Sequence, residues 1–271
     1  MSVMDRWMQL LDEGRAALAS KRPLVHHITN YVVMNLTANV TLAMGASPVM
    51  AHDNAEVEEM ASFASALVLN IGTLSPRWID AMLLAGKKAK ACGVPVVLDP
   101  VGAGATALRT ETCRRLLAEV KPDLIRGNRA EVTVLAGAAA AISGVDSLET
   151  GAEPVDLYRK LARDTGAVVC VSGASDFVTD GATAYRVDNG HPLFTRVTGM
   201  GCSATTAVGV CAAAGLPLLE AATLAMGVFG GCGEEAASAS NGPGTFVPAL
   251  IDSLHRVSAG GVPVPFRISA A

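Results

Sequence analysis

Aromatic side chains are scarce in this chain of 271 residues, at 4%, and charged residues make up only 17%. No basic cluster is denser than Lys87-Lys88-Ala-Lys90 or Arg114-Arg115, and the net charge is −4. These features exclude the positive stripe that a nucleic-acid groove needs. The six cysteines contain no Cys-x-x-Cys pair and no metal-type spacing with the five histidines. The N-terminus reads as a charged amphipathic helix and not as a secretion signal, so the thiols are expected to be reduced and the protein cytoplasmic. One run imitates a membrane span: between residues 212 and 231 only Glu220 and Thr223 are clearly polar. Gly215, Pro217 and Glu220 cluster at its start. A span needs about 20 apolar residues, and an intramembrane Glu is costly. The expectation is a turn followed by a buried helix, with no membrane partner.

Several catalytic signatures are missing too. There is no Gly-x-x-x-x-Gly-Lys-Ser/Thr loop, so any ATP is bound without a Walker A motif. Gly102-Ala-Gly104-Ala-Thr-Ala107 and Gly199-Met-Gly201-Cys-Ser-Ala204 imitate a dinucleotide fingerprint. Neither lies in the first βα unit, and neither is followed by the acidic residue expected about 20 positions on. The second also lacks the glycine that a hydrolase nucleophile elbow places two residues after its nucleophile.

What is present is a regular alternation. Residues 24–30, 66–72, 95–100, 123–128 and 167–173 read as strands, several apolar throughout, as in a sheet buried on both faces. Helical patterns fall between them at 33–44, 55–64, 77–91 and 110–120, with Ser75-Pro76 supplying a cap and a first-turn proline. From 176 to 197, three short strands parted by Asp-Gly and Asn-Gly turns read as a meander, and helices dominate after Gly201. No composition break divides the chain. The expectation is an α/β fold in three layers, α/β/α, with a mostly parallel central sheet and antiparallel strands at one edge. It forms a single domain over 1–271, with a loose tail from about 260.

Five strands end in glycine or polar residues: Asn70-Ile-Gly72, Asp99-Pro-Val-Gly102, Arg126-Gly-Asn128, Ser172-Gly173 and Thr198-Gly199. Ligands of open α/β sheets sit at the carboxyl ends of the strands, so these endings suggest one site along a rim. The segment from Arg196 to Thr206 is the most telling. A β-leaning run breaks at Gly199 and Gly201 and passes at once into an apolar helix. Unpaired amides at such a helix N-terminus favour phosphate, and Cys202 sits in the same first turn. Asp99 and Glu131 suit the water shell of Mg²⁺, which one or two carboxylates typically hold, although Asn128 and Glu131 also read as a capping box. Arg126 suits either a phosphate or a surface acid. His26 and His27 face opposite ways along one strand and read as structural.

In order along the chain come His26-His-Ile-Thr-Asn30, Gly45-Ala-Ser-Pro-Val-Met50, Leu69-Asn-Ile-Gly-Thr73 and Leu98-Asp-Pro-Val-Gly-Ala-Gly-Ala105. Ile125-Arg-Gly-Asn128 with Glu131, then Val197-Thr-Gly-Met-Gly-Cys202, complete the set. This series, from about residue 20 to residue 256, resembles the hydroxyethylthiazole kinases, a ribokinase-like family. The resemblance implies a ribokinase-like fold and ATP-dependent, Mg²⁺-assisted phosphorylation of the hydroxyl of 4-methyl-5-(2-hydroxyethyl)thiazole in thiamine biosynthesis. It also implies a homotrimer with active sites between subunits. Carried over motif by motif, Met50, Gly199 and Asn30 contact the thiazole, while Arg126 and Ser172 contact ATP. Asp99 and Glu131 serve the Mg²⁺ shell, Gly199 and Gly201 form an anion hole, and Cys202 is the catalytic-site group beside the substrate hydroxyl.

Three positions depart from what the resemblance leads one to expect. Ser172 is often Thr, Met200 stands where Ala or Thr is expected, and Cys202 stands where the wider ribokinase-like group has Asp. A thiol with a pKa of about 8.5 accepts a proton poorly near neutrality unless the helix terminus lowers that value. Phosphoryl transfer depends mainly on positioning and charge stabilisation, so Cys202 is expected to position the hydroxyl more than to act as an obligate base. The same architecture also suits a kinase for another small alcohol, such as a hydroxymethylpyrimidine. An ATP-dependent dehydratase of hydrated nicotinamide nucleotides, or a non-catalytic nucleotide-binding subunit, would suit it as well.

Overall fold

A computed structural model gives the protein's architecture and describes residues 3–142, 154–261 and 264–271. Strands β1 (Leu24–Ile28), β2 (Ser47–Val49), β3 (Ala66–Asn70), β4 (Val96–Asp99), β5 (Leu124–Asn128) and β6 (Val168–Ser172) run parallel. They continue antiparallel through β7 (Asp176–Thr179), β8 (Ala184–Val187) and β9 (Ile268–Ala270). The order across this single sheet is β2-β1-β3-β4-β5-β6-β7-β8-β9. Parallel neighbours need crossovers, and the helical segments between the strands supply them.

Side chains alternate across each strand, so the sheet feeds two apolar cores. Ala66 and Val68 face one layer, made by α1 (Val3–Lys21), α2 (Met34–Ala43), α8 (Met200–Ala213), α9 (Leu218–Ala239) and α10 (Pro243–Ser258). Leu67 and Leu69 face the other, which includes α3 (Val57–Phe63), α4 (Pro76–Ala91), α5 (Ala107–Arg115), α6 (Arg129–Ile142) and α7 (Pro154–Thr165). The expected three layers and antiparallel edge are both present. The cap before α4 forms as the sequence indicates, with Ser75 Oγ accepting the Trp78 amide at 3.3 Å and Pro76 opening the helix. The long apolar run is broken where Gly215 takes φ +87° between α8 and α9. No helix among the described residues is long and apolar enough to cross a membrane.

Two expectations need correction. The run at 191–197 is not a strand: Pro192–Arg196 forms a 3-10 turn, with His191 Nδ1 accepting the Leu193 amide at 3.2 Å. Packing overrides the β pattern here, because Phe194 stacks on Phe229 of α9 at 5.1 Å and meets Phe246 of α10 edge-on at 5.5 Å. The third antiparallel strand comes instead from the C-terminus, so the tail expected to be loose is docked. β9 pairs with β8, Val264 and Phe266 are buried, and Asn189 donates to Pro265 O at 2.9 Å and accepts the Arg267 amide at 2.8 Å.

Candidate active site

The parallel register puts the polar strand ends side by side along one rim. Asn70 pairs with Asp99 across β3 and β4, and Asn128 pairs with Ser172 across β5 and β6. Helix α8 packs on β1, β3 and β4 and starts at this rim, with Gly199 as its N-cap at φ +83°. Side chains strongly disfavour that conformation, and a Cβ on Gly199 would also lie 2.7 Å from Val33 Cγ1. Met200 finds room by turning into the core, where it is buried. The first-turn amides of Met200, Gly201 and Cys202 have no carbonyl one turn earlier to bind.

At the middle of the rim, five side chains form one hydrogen-bonded group. Asn30 Nδ2 donates to Asn70 Oδ1 at 2.9 Å and to Cys202 Sγ at 3.7 Å, while Asn30 Oδ1 accepts the Val32 amide at 3.1 Å. Asn70 Nδ2 donates to Asp99 Oδ2 at 2.7 Å, and Thr205 Oγ1 donates to the same oxygen at 2.8 Å. Asp99 is fully buried, and that burial pushes its carboxyl up to about 6; the Arg126 charge and the Thr205 and Asn70 donors pull the other way, while Glu131 adds to the rise. Burial also pushes the Cys202 thiol up to about 11, helped by the Asp99 charge and opposed by the donors Asn70 and Asn30. The helix terminus does not win against desolvation. At pH 7 only about 10⁻⁴ of such a thiol is ionised.

Glu131 lies one strand over. Its Oε2 accepts the Asn128 amide at 2.8 Å, and Asn128 Oδ1 accepts the Glu131 amide at 3.0 Å, a complete capping box. The other oxygen, Oε1, accepts the Gly102 amide at 2.8 Å, tying the loop after β4 to α6. No cluster of three or more metal-type ligands exists among the described residues. Two carboxylates that repel each other, one of them with no protein donor on Oδ1 among the described residues, fit a water-rich divalent cation better than an all-protein cage.

Beside this group a cleft of about 710 Å³ opens between the β6–β7 turn and α8, with Arg126, Ser172, Gly173, Asp176 and Gly201 among its lining residues. Arg126 is 7% exposed, donates to Gly201 O at 2.9 Å, and leaves its buried Nε without a partner. A guanidinium that lines a cleft suits a phosphate oxygen. A Cβ on Gly201 would lie 3.0 Å from the same guanidinium, so the glycine lets Arg126 lie across the helix start. Asp176 accepts the Gly173 amide at 2.9 Å and fixes the turn that carries Ser172; burial pushes its carboxyl up to about 6.

The family model described as the hydroxyethylthiazole kinase family matches residues 16–260. The hydroxyethylthiazole kinase of Desulfosudis oleivorans is 55% identical over 249 residues, covering 90% of this chain and 89% of the relative. The chain belongs to the hydroxyethylthiazole kinase family. A solved structure of the hydroxyethylthiazole kinase protein from Pyrococcus horikoshii OT3 superposes with a TM-score of 0.87 at 39% identity, covering 97% of this chain and all of that one. The pyridoxal kinase of Staphylococcus aureus, at 16% identity and a TM-score of 0.63 over 92% of this chain and 99% of its own, shows the shared ribokinase-like fold.

Within this family member, Asn30, Asp99 and Cys202 come together as one group, Arg126 and Gly201 touch, and Ser172 lines the same cleft. Met50 lies just past the edge strand β2, which borders β1, the strand that leads into Asn30. His26 and His27 are structural: their Nε2 atoms meet Ala51 O at 2.7 Å and Thr41 Oγ1 at 3.1 Å, and burial lowers both pKa values. Sequence reasoning did not single out Thr205, Asp176 or Arg109 as site residues. Arg109 clips the loops after β3 and β4 together by donating to Ile71 O, Gly72 O and Val101 O. Thr205 left one signal, a hydroxyl three residues after Cys202 on an otherwise apolar helix face.

Proposed function

We propose that the protein transfers the γ-phosphoryl group of ATP to the hydroxyl of 4-methyl-5-(2-hydroxyethyl)thiazole, giving the thiazole phosphate and ADP for thiamine biosynthesis. The observation that carries this reading is the joint presence, in a member of this family, of the Asn30–Cys202–Asp99 group and a glycine helix start beside an arginine-lined cleft. ATP occupies the cleft with Arg126 and Ser172 on its phosphates. The amides at Gly199 and Gly201 receive the migrating phosphoryl group as negative charge moves toward them.

Asn30, Gly199 and Met50 hold the thiazole, and Cys202 sets the direction of the attacking hydroxyl. Its thiol stays protonated at neutral pH, which supports positioning over proton abstraction. Asp99 and Glu131 would hold Mg²⁺ through its water shell, and the ion, when bound, would supply positive charge beside the transferring phosphoryl group. Arg126 adds a fixed positive charge next to the leaving ADP.

The protein works as a homotrimer with its sites between subunits. Tyr31, Val32, Leu42 and Phe63 are large apolar side chains left exposed on the segments that join β1, β2 and β3, and such exposure supports an interface on this side of the molecule. Six free cysteines support a reducing, cytoplasmic setting. The test is ADP release coupled to an indicator, with hydroxyethylthiazole, hydroxymethylpyrimidine and ribose run in parallel. Thiazole-dependent ADP release is expected, and folded protein that releases none with thiazole refutes the reading.

A further inference from the structure

The Asn70 side chain is buried, and its amide is used at both ends. The Gly72 amide and Asn30 Nδ2 both approach one end at 2.9 Å, so that end is the carbonyl oxygen. The NH₂ end must then be the one aimed at Asp99 Oδ2, at 2.7 Å. Asn30 is locked by the same logic. Its oxygen takes the Val32 amide, and its two N–H bonds go to Asn70 and Cys202. Gly72 permits this closeness, because a Cβ there would lie 2.5 Å from Asn30 Nδ2.

On the other side of Asp99, Thr205 Oγ1 reaches the same carboxylate oxygen from one turn inside α8, at 2.8 Å. Two donors therefore converge on Oδ2, from a strand on one side and a helix on the other. That convergence fixes the carboxylate plane and leaves Oδ1 without a protein donor among the described residues. Asn70, Thr205 and Asp99 are all buried, so no water can substitute for a lost donor without opening the core.

We infer that Asn70 and Thr205 are positioning residues that select Oδ1 of Asp99 for the metal side, and that Asn70 also couples this carboxylate to the hydroxyl-side pair Asn30 and Cys202. The inference rests on the reading of Asp99 as the Mg²⁺-side carboxylate and of Asn30 as a thiazole contact. Asn70 reaches Asp99 on the metal side and Asn30 on the thiazole side, whereas Thr205 reaches Asp99 and, at 3.3 Å, the Gly201 carbonyl, so the two residues differ in a way that a purely structural role does not predict. Loss of Asn70 disturbs both the metal side and the thiazole side, whereas loss of Thr205 spares the thiazole side.

The test uses the full chain and two binding readouts that need no turnover. Hydroxyethylthiazole binding is measured by calorimetry without nucleotide or metal. The magnesium concentration giving half of the ADP-dependent rise in Tm is measured separately. Asn70→Ala is expected to weaken thiazole roughly tenfold and to raise the magnesium requirement roughly tenfold, about the loss of one buried hydrogen bond at each end. Thr205→Val is expected to raise the magnesium requirement similarly while thiazole affinity stays within about twofold, and Thr205→Ser is expected to restore the wild-type value.

Because both donors hold one oxygen, the double variant Asn70→Ala/Thr205→Val should raise the magnesium requirement beyond the product of the single effects. A wild-type magnesium requirement in both single variants overturns the inference. Equal thiazole losses in Asn70→Ala and Thr205→Val also overturn it. If Asn70→Ala does not fold, Asn70→Ser and the two Thr205 variants make the same comparison. Wild-type protein that binds no thiazole refutes the substrate reading instead, and the magnesium measurements still decide the inference about Asp99.

Discussion

Replacing Cys202 by serine separates a positioning group from a proton acceptor. The thiol is pushed up to about 11 by burial and by the Asp99 charge, so about 10⁻⁴ of it is thiolate at pH 7. Were the thiolate the base, its population and kcat would rise about tenfold per pH unit between about pH 7 and 10. Its replacement would also forfeit the ~10²–10⁴ that general-base catalysis supplies. A positioning thiol has less to lose. Its sulfur accepts an N–H from Asn30 at 3.7 Å and faces the Asn70 amide, and a serine hydroxyl can accept the same donors. A hydrogen bond of about 0.5–1.5 kcal/mol is weakened, roughly 2- to 10-fold in kcat/KM. ADP release is to be followed with thiazole from about pH 7 to 9, with calorimetric thiazole binding as the control for an intact site. We expect Cys202→Ser to stay within about tenfold of wild type, and wild-type kcat to show no tenfold rise per pH unit. A loss beyond about 10²-fold with thiazole binding intact refutes the positioning role.

Three further outcomes test other parts of the molecule. Asp176 is pushed up to about 6, chiefly by burial, against about 3.9 in the unfolded chain. The folded state therefore holds the proton more tightly, and this residue's contribution to stability falls as pH rises from about 4 to about 6, by at most ~3 kcal/mol. Asp176→Asn should accordingly raise Tm more at pH 8 than at pH 4, and equal changes at both would refute the assignment. Gly199→Ala forces a side chain to φ +83° with its Cβ 2.7 Å from Val33 Cγ1. The conformation alone costs about 1–2 kcal/mol, or roughly 2–8 °C in Tm, and KM for ATP should rise with it; unchanged Tm and KM would show that the helix start tolerates a side chain. Phe266→Ala empties a buried site in the C-terminal tail, 4% exposed, and should cost about 3–5 kcal/mol in urea unfolding. A change below about 0.5 kcal/mol would mean that the tail is as loose as its composition suggests.

The layered fold was legible because its signals are local. Apolar runs such as residues 66–69 announce strands buried on both faces, and Ser75-Pro76 announces a helix start; both depend on near neighbours alone. The rim of polar strand ends was legible for the same reason, since each parallel strand delivers its last residues to one side. Residues 191–197 were misread because their β-leaning composition is a weak preference. Phe194 gains more by packing on Phe229 and Phe246, residues more than 30 positions away. The tail was misread in the same way, since nothing in Gly, Pro and Ser reveals that the β8 edge lacks a partner until β9 fills it.

The site divides along the same line. Residue types alone determined that Asp99, Arg126, Gly199, Gly201 and Cys202 stand at strand ends or a helix start, because spacing and turn chemistry fix those places. The order of the strands and the seating of α8 over β3 and β4 decided which of them touch. The convergence of Asn70 and Thr205 on one oxygen of Asp99 joins residues 106 positions apart, which no local pattern can encode. The thiol's pKa was decided there as well: helix-start amides argue for a lower value, but burial beside a carboxylate raises it to about 11. Desolvation is a property of the assembled core, so the chemistry of Cys202 was settled only once the chain had folded around it.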